Sequence, residues 1–187
     1  SKHTAIIITM FEKSPENVLF LGLGAGIMPM FIRMHFAETH IDIVEIDKEI
    51  PEIAEKYFCF KRDEDINIKI MDARDFINKC QEKYDAIFID AYVSDRIPFQ
   101  LCTDEFYKKI HSLLTDNGIM TANIANLGKQ EFIKSELKTI MNTFNNMNVF
   151  VVKNKSNYIV FSGRNKSSIN ITIARQKAEE LESKNIL

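Results

Sequence analysis

The chain has no tryptophan, only three cysteines among 187 residues, and no excess of charge of either sign. Nor has it an apolar run near the roughly 20 residues that a membrane span requires. Each shortage removes a class of protein. Cys59, Cys80 and Cys102 are odd in number and widely spaced, with no pair at metal or redox spacing, so neither a disulfide scaffold nor a cysteine-based metal centre is expected. They read as reduced thiols in or near a core. His3, His35, His40 and His111 are equally scattered and fall in no ligand or triad pattern, which leaves them surface or helix-end roles and predicts no metal. With 24 basic against 26 acidic side chains the net charge is -2, so electrostatics gives no reason to expect nucleic acid or an anionic membrane as partner. The N-terminus lacks the order of charged, apolar and small residues that marks a signal peptide, and a cytoplasmic location is expected. Ser1 is not a natural start, which leaves a fragment of a longer chain open. No internal repeat, low-complexity tract or second-domain boundary is visible, so residues 1–187 are expected to form one domain that handles a small molecule. At 45% apolar and 27% charged residues the composition is that of an ordinary globular protein, long enough to bury a core.

What the chain does have is a series of short apolar runs, each ending in a glycine turn or a carboxylate. Residues 18–21 run into Gly22-Leu23-Gly24-Ala25-Gly26, 41–44 into Glu45, 66–71 into Asp72, and 84–89 into Asp90. Between them lie helical stretches of about 10–15 residues, the pattern of repeated βαβ units. Helices are predicted over 4–12 (a leading helix), 26–36, 50–58 and 73–79. Pro29 and Pro51 are tolerable in opening turns, where the amides have no intrahelical partner. Residues 91–102, with Pro98, read as irregular. Thr103 is a plausible N-cap, and Asp104 and Glu105 put negative charge in the first turn of a helix to about 114. Asp116-Asn117-Gly118 is expected to turn into a fifth strand over 119–124, followed by a long helix over 130–144. Only five polar residues separate the last two strands, 148–152 and 158–162, too few for a parallel crossover, so these two must be antiparallel. A helix over 171–183 closes the chain. Five parallel strands, a final antiparallel hairpin and helices on both faces outline an α/β fold: a seven-stranded, mostly parallel sheet of the Rossmann-like methyltransferase type.

Open parallel sheets bind ligands at the carboxyl ends of their strands, so Gly22, Gly24, Ala25, Gly26, Glu45, Asp72 and Asp90 are expected around one crevice. A glycine turn lets the backbone approach a ligand closely. A dinucleotide fingerprint would require glycine at 27 or 29, where the chain has Ile27 and Pro29, so a pyrophosphate site is disfavoured. Glu45, at the end of a buried strand, is placed to accept hydrogen bonds from both ribose hydroxyls; a solvated strand-end charge is the alternative. Asp47 reads as a cap or supporting residue. Asp72 is placed for an adenine amino group, with Ala73 leaving room for the ring, or to cap the following helix, and both roles can coexist. Arg74 and Asp75 read as an exposed or half-exposed charge pattern. Asp90, half shielded by low-dielectric walls, is suited to take a proton from an amine or to hold a cation. Asp95 either supplies a second charge or is a solvated loop residue. Tyr92 and Phe99 flank the same segment without an assigned role.

These residues resemble the spermidine synthases, or polyamine aminopropyltransferases, and their shorter spermidine synthase-like relatives in the class I S-adenosylmethionine-dependent methyltransferase superfamily. The resemblance covers residues 18–163. It rests on the glycine turn, Val44-Glu45-Ile46-Asp47, Asp72-Ala73-Arg74-Asp75-Phe76, the run from Tyr84 to Asp90, and Leu101-Cys102-Thr103-Asp104-Glu105-Phe106-Tyr107. It implies aminopropyl transfer from decarboxylated S-adenosylmethionine to an amine such as putrescine, leaving methylthioadenosine, without a metal. Glu45 would hold the ribose, Asp72 the adenine and Asp95 the substrate, while Asp90 would deprotonate the attacking amine; a homodimer is implied as well. The chain departs from the family in three places. Ala25 stands where the family's turn usually carries an aspartate, Asp90 and Asp95 are five rather than three apart, and only residues 1–16 precede the first strand where the family has a β-rich segment. Ala25 removes an attraction for the decarboxylated cosubstrate and a repulsion against intact S-adenosylmethionine, so methyl transfer is the alternative reaction. A non-catalytic module that binds an adenosine ligand is a third reading.

Overall fold

In the computed structural model, which describes residues 11, 13–91, 98–125, 130–151 and 157–165, the apolar runs are strands. They are β1 (Asn17–Leu21), β2 (His40–Glu45), β3 (Ile66–Ile70), β4 (Tyr84–Ile89), β5 (Leu114–Ala125), β6 (Asn148–Val151) and β7 (Asn157–Gly163). They form one sheet in the order β3-β2-β1-β4-β5-β7-β6. β1 to β5 pair in parallel, and β7 runs antiparallel between β5 and β6. The predicted hairpin is there, with its second strand, not its first, against β5. The helices are α1 (Ile27–His35), α2 (Ile50–Tyr57), α3 (Ala73–Lys79), α4 (Asp104–Leu113) and α5 (Gln130–Phe144), with a 3-10 turn over Phe99–Leu101. Apart from Phe11, the predicted helix over 4–12 lies outside the described residues, as do the predicted helix over 171–183 and the residues Tyr92 and Asp95.

Strand periodicity splits the core in two. On β1, Val18 and Phe20 face α1 and α2, where they pack with Ile32 and Ala54. Leu19 and Leu21 face the other way, onto Phe76, Phe106 and Ile140 of α3, α4 and α5. The four apolar residues of β1, 18–21, are all buried, which is why a parallel centre strand reads as a continuous apolar run. Truncating Leu19 or Leu21 to alanine removes a fully buried side chain and costs about 2–5 kcal/mol. Phe20 and Phe88, register partners on β1 and β4, stack with ring centroids 4.5 Å apart.

At the amino ends of the strands, remote from the crevice, a buried polar cluster centres on Asp42. Its carboxylate accepts from the Tyr84 hydroxyl at 2.7 Å, the Asn67 amide at 2.8 Å and the Lys69 ammonium at 3.0 Å. Burial pushes the Asp42 carboxyl up, but the Tyr84, Lys69 and Asn67 donors outweigh it and hold the carboxyl below its usual range. The Tyr84 hydroxyl is pushed far up by burial and by the Asp42 carboxylate it faces.

Two local expectations need correction. The turn expected at Asp116-Asn117-Gly118 is absorbed into an irregular β5: Tyr84 pairs with Leu114 and Ala86 with Ile119, so Asp85 alone faces residues 115–118. Asp85 stabilises this bulge by accepting from the Thr115 hydroxyl at 2.9 Å, while its other oxygen takes the Glu16 and Asn17 amides. Cys80 and Cys102 are buried as expected, but Cys59 is exposed, at a φ of 58° just past α2. Arg74 and Asp75 are half-exposed and exposed as expected, and Arg74 in addition bridges two elements of the crevice wall described below. Among the described residues, no helix is long and apolar enough to cross a membrane, and no cluster of three or more His, Cys, Asp or Glu side chains could hold a metal ion.

Candidate functional site

The carboxyl ends of β1, β2 and β4 are joined by main-chain bonds. The Gly22 amide donates to the Val44 carbonyl at 2.8 Å, and the Asp90 amide donates to the Leu21 carbonyl at 2.9 Å. Gly22 has a φ of +98°, and a Cβ there would lie 2.4 Å from the Asp90 carbonyl oxygen. Only glycine fits, both in conformation and in space. The turn therefore brings Asp90 as close to β1 as backbone packing allows.

Glu45 is 9% exposed, and backbone amides fix both of its oxygens. Leu23 of the glycine turn donates to Oε2 at 2.9 Å and Asp47 to Oε1 at 3.1 Å. Asp47 in turn accepts from the Glu49 amide at 2.9 Å, leading the chain into α2. Asp72 caps α3 through one oxygen: Oδ1 takes the Arg74 amide at 2.7 Å and the Asp75 amide at 3.2 Å. Among the described residues Oδ2 takes none, so capping leaves an acceptor available. Arg74 donates to the Thr103 hydroxyl at 3.1 Å and the Gln100 carbonyl at 3.3 Å, which draws the 3-10 turn against α3 as the third wall. Thr103 caps α4 as predicted, accepting from the Phe106 amide.

These walls enclose a cavity of about 550 Å³ whose lining includes Gly22, Gly24, Glu45, Asp72, Ala73 and Asp90. All the charged side chains among its described lining residues are acids: Glu45, Asp47, Asp72 and Asp90. Such a field favours a cation and opposes a phosphate, which suits a positively charged nucleoside better than a nucleotide. On the other side of Gly22, Gly24 and Asp90, a second cavity of about 420 Å³ opens toward α1. Its walls are largely apolar, with Phe20, Ala25, Phe88 and Ile159, and its polar groups are Asp90, Thr121 and Asn123. Gly26 lines neither cavity, since its Cα packs on the Phe60 ring.

Asp90 thus stands where the two cavities meet. Its side chain is open to solvent at the crevice floor, yet the protein packed around it pushes its carboxyl above the ordinary carboxylate range. The Asn123 amide donates to Oδ1 at 2.9 Å and pulls in the opposite direction. Asn123 itself accepts from Asn157 at 2.9 Å. Neither asparagine was expected at the site. Asn123 was detectable in principle: Thr121 and Asn123 are polar residues at alternate positions of a buried strand, close to its carboxyl end, where the expected acids also lie. Asn157 gives no such signal, because a polar residue beside a short turn has an obvious local explanation.

The strand order and the acid-lined crevice define a Rossmann-like domain of the methyltransferase type. The chain belongs to the spermine/spermidine synthase family, whose synthase domain matches residues 3–172. It is 33% identical over 177 residues to a polyamine aminopropyltransferase of Vibrio vulnificus (strain CMCP6), an alignment covering 93% of this chain and 58% of that relative. The chain thus spans less than two thirds of that relative's length. Among solved structures, human methyltransferase-like protein 13 in complex with SAH superposes with a TM-score of 0.80 at 25% identity, covering 98% of this chain and 91% of that one. A probable spermidine synthase from Corynebacterium glutamicum ATCC 13032 shares the fold, with a TM-score of 0.80 at 23% identity, over 97% of this chain and 71% of that one.

Proposed function

We propose that this domain transfers an aminopropyl group from decarboxylated S-adenosylmethionine to a small amine. The observation that carries the reading is the position of Asp90, a carboxylate shared by an acid-lined cavity of nucleoside size and an apolar one beside it. In this reading the ribose hydroxyls donate to Glu45, the adenine amino group donates to Asp72 Oδ2 over the small Ala73, and the acids around the crevice favour the sulfonium. The amine reaches Asp90 from the second cavity, and its nitrogen attacks the carbon next to sulfur. A C–N bond forms, the C–S bond breaks, methylthioadenosine leaves with the electron pair on sulfur, and the nitrogen's proton passes to Asp90. A carboxyl raised by the protein packed around it is a stronger base than an ordinary aspartate, and orientation of the two reactants supplies the remaining acceleration. Family membership and the aminopropyltransferase relative support this reaction. Asp95, outside the described residues, is proposed to bind the amine, and a dimer is proposed as the working form.

Methyl transfer from intact S-adenosylmethionine is the second reading, favoured by Ala25. That residue lines the second cavity without the charge that would repel a methionine carboxylate. Calorimetric titration with S-adenosylmethionine, its decarboxylated form and methylthioadenosine separates the two. Tighter binding of the decarboxylated form, with aminopropylated product from a panel of amines, is expected. Tighter binding of the intact form would replace the proposal by methyl transfer, and binding of none at millimolar concentration would end the nucleoside reading. Asp90→Asn should bind methylthioadenosine normally and lose turnover about 10²-fold or more; full turnover would remove Asp90 as the base.

A further inference from the structure

Asn123 on β5 and Asn157 on β7 share the sheet face that looks onto the second cavity: Asn123 pairs with Ile159, and Ala125 with Asn157. The two amides and Asp90 form a directed chain. Asn157 Nδ2 donates to Asn123 Oδ1 at 2.9 Å, and Asn123 Nδ2 donates to Asp90 Oδ1 at 2.9 Å. An amide has a donor side and an acceptor side, and turning Asn123 over would set oxygen against the Asp90 carboxylate and amino group against amino group. The carboxylate, which can only accept, selects the orientation of Asn123, and Asn123 so turned offers its oxygen to the Asn157 amide.

We propose that Asn123 and Asn157 are positioning residues that hold a hydrogen-bond donor on Asp90 Oδ1, so that the carboxylate meets the incoming amine through Oδ2. Among the described residues Oδ2 accepts no hydrogen bond, which leaves it to take the proton. β7, the one strand that runs against the others, thereby reaches the reacting carboxylate from two strands away. The other charged groups of the crevice, Glu45 at the end of β2, Asp47 beyond it and Asp72 beyond β3, line the first cavity. The described faces of α1, β5 and β7 that line the second cavity present Asn123 and Thr121 as polar neighbours and no charge. Against a background of burial that raises the Asp90 carboxyl, Asn123 is the group that lowers it.

The catalytic consequence rests on Asp90 acting as base, whereas the relay itself does not. The test is the titration midpoint of Asp90, read by carbon-detected NMR of its side-chain carboxyl in the whole chain, for Asn123→Ala, Asn157→Ala and the double variant. Loss of a hydrogen bond to the charged form raises a carboxyl, so Asn123→Ala is expected to move the midpoint up by about one pH unit. Asn157→Ala removes the donor that holds the Asn123 oxygen and should move it the same way by roughly half as much. The double variant should match Asn123→Ala alone, because Asn157 acts only through Asn123. A midpoint unchanged in Asn157→Ala, or a double variant that shifts further than Asn123→Ala, overturns the relay. Where an amine is turned over, the acidic limb of kcat/KM against pH should shift upward in step with the midpoints. If the midpoints move as expected but no amine reacts, the transferase reading falls and the relay stands.

Discussion

Replacing Gly22 by alanine tests whether the glycine turn positions Asp90 or only reverses the chain. The new Cβ would lie 2.4 Å from the Asp90 carbonyl oxygen, 2.9 Å from its carbonyl carbon and 3.3 Å from the Ala91 Cα. These are backbone atoms that no rotamer change can move away. Ordinary contact begins near about 3.5 Å, so the ends of β1 and β4 must part by about 1 Å. Alanine at a φ of +98° adds strain, and conformation and clash together should cost about 3 kcal/mol. For a chain of this size that lowers Tm by about 6–12 °C. A displacement of about 1 Å at the reacting group lowers turnover about 10²-fold. Gly24→Ala is the internal control: its φ of +54° is milder and nothing lies within 4 Å of the added methyl, so about 1 kcal/mol and a Tm loss of about 2–4 °C are expected. Thermal unfolding by circular dichroism and initial-rate assays on both variants decide the matter. If Gly22→Ala unfolds no earlier than Gly24→Ala, or turns over like the wild type, the glycine turn does not position Asp90.

Glu45→Gln leaves one of two backbone donors, Leu23 or Asp47, facing an amino group, and removes the charge offered to the ribose; methylthioadenosine affinity should fall about 10- to 100-fold by calorimetry. An unchanged Kd would place the nucleoside elsewhere. Asp72→Asn keeps the helix cap, since asparagine caps as well as aspartate, so Tm should hold while nucleoside affinity drops; Asp72→Ala should lose both, with about 1 kcal/mol of stability. Equal affinity in wild type and Asp72→Asn would reduce Asp72 to its capping role. At the other end of the sheet, Asp42→Asn should cost about 2 kcal/mol near neutral pH in urea unfolding. The folded Asp42 carboxyl is depressed, so its contribution is complete above the unfolded value near about 4 and is lost as pH falls through the lower folded value. The gap between wild type and variant should therefore narrow on acidification below about pH 4, and a gap that stays constant would contradict the assignment.

The strands were legible because the middles of β1, β2 and β4 are buried on both faces and so are mostly apolar, Asp42 being accommodated where it finds three donors. Glu45, Asp72 and Asp90 were legible for a related reason: a carboxylate that ends an apolar strand must lie at the rim of the sheet, and a parallel sheet gathers its rims on one side. Thr103 could be read because a cap acts within three residues of itself. What could not be read depends on contacts between distant parts of the chain. The antiparallel pairing of the last two strands follows from a short link, but nothing local tells which of them lies against β5. With that choice went Asn157, which meets Asn123 only because β7 takes the inner place. The irregular start of β5 was hidden likewise: Asp116-Asn117-Gly118 has turn chemistry, and only Asp85 on the neighbouring strand makes a bulge of it.

Because main-chain donors fix both oxygens of Glu45, the acceptor proposed for the ribose has its shape before any ligand arrives. A site set in advance holds whatever carries the matching group, and in the proposed reaction the adenosine is identical in the cosubstrate and in the sulfur-containing product. Binding strength gathered there does not distinguish before from after. Used nucleoside should therefore compete with fresh cosubstrate at comparable affinity. Such a catalyst runs well only where another reaction continually cleaves or recycles the nucleoside it releases.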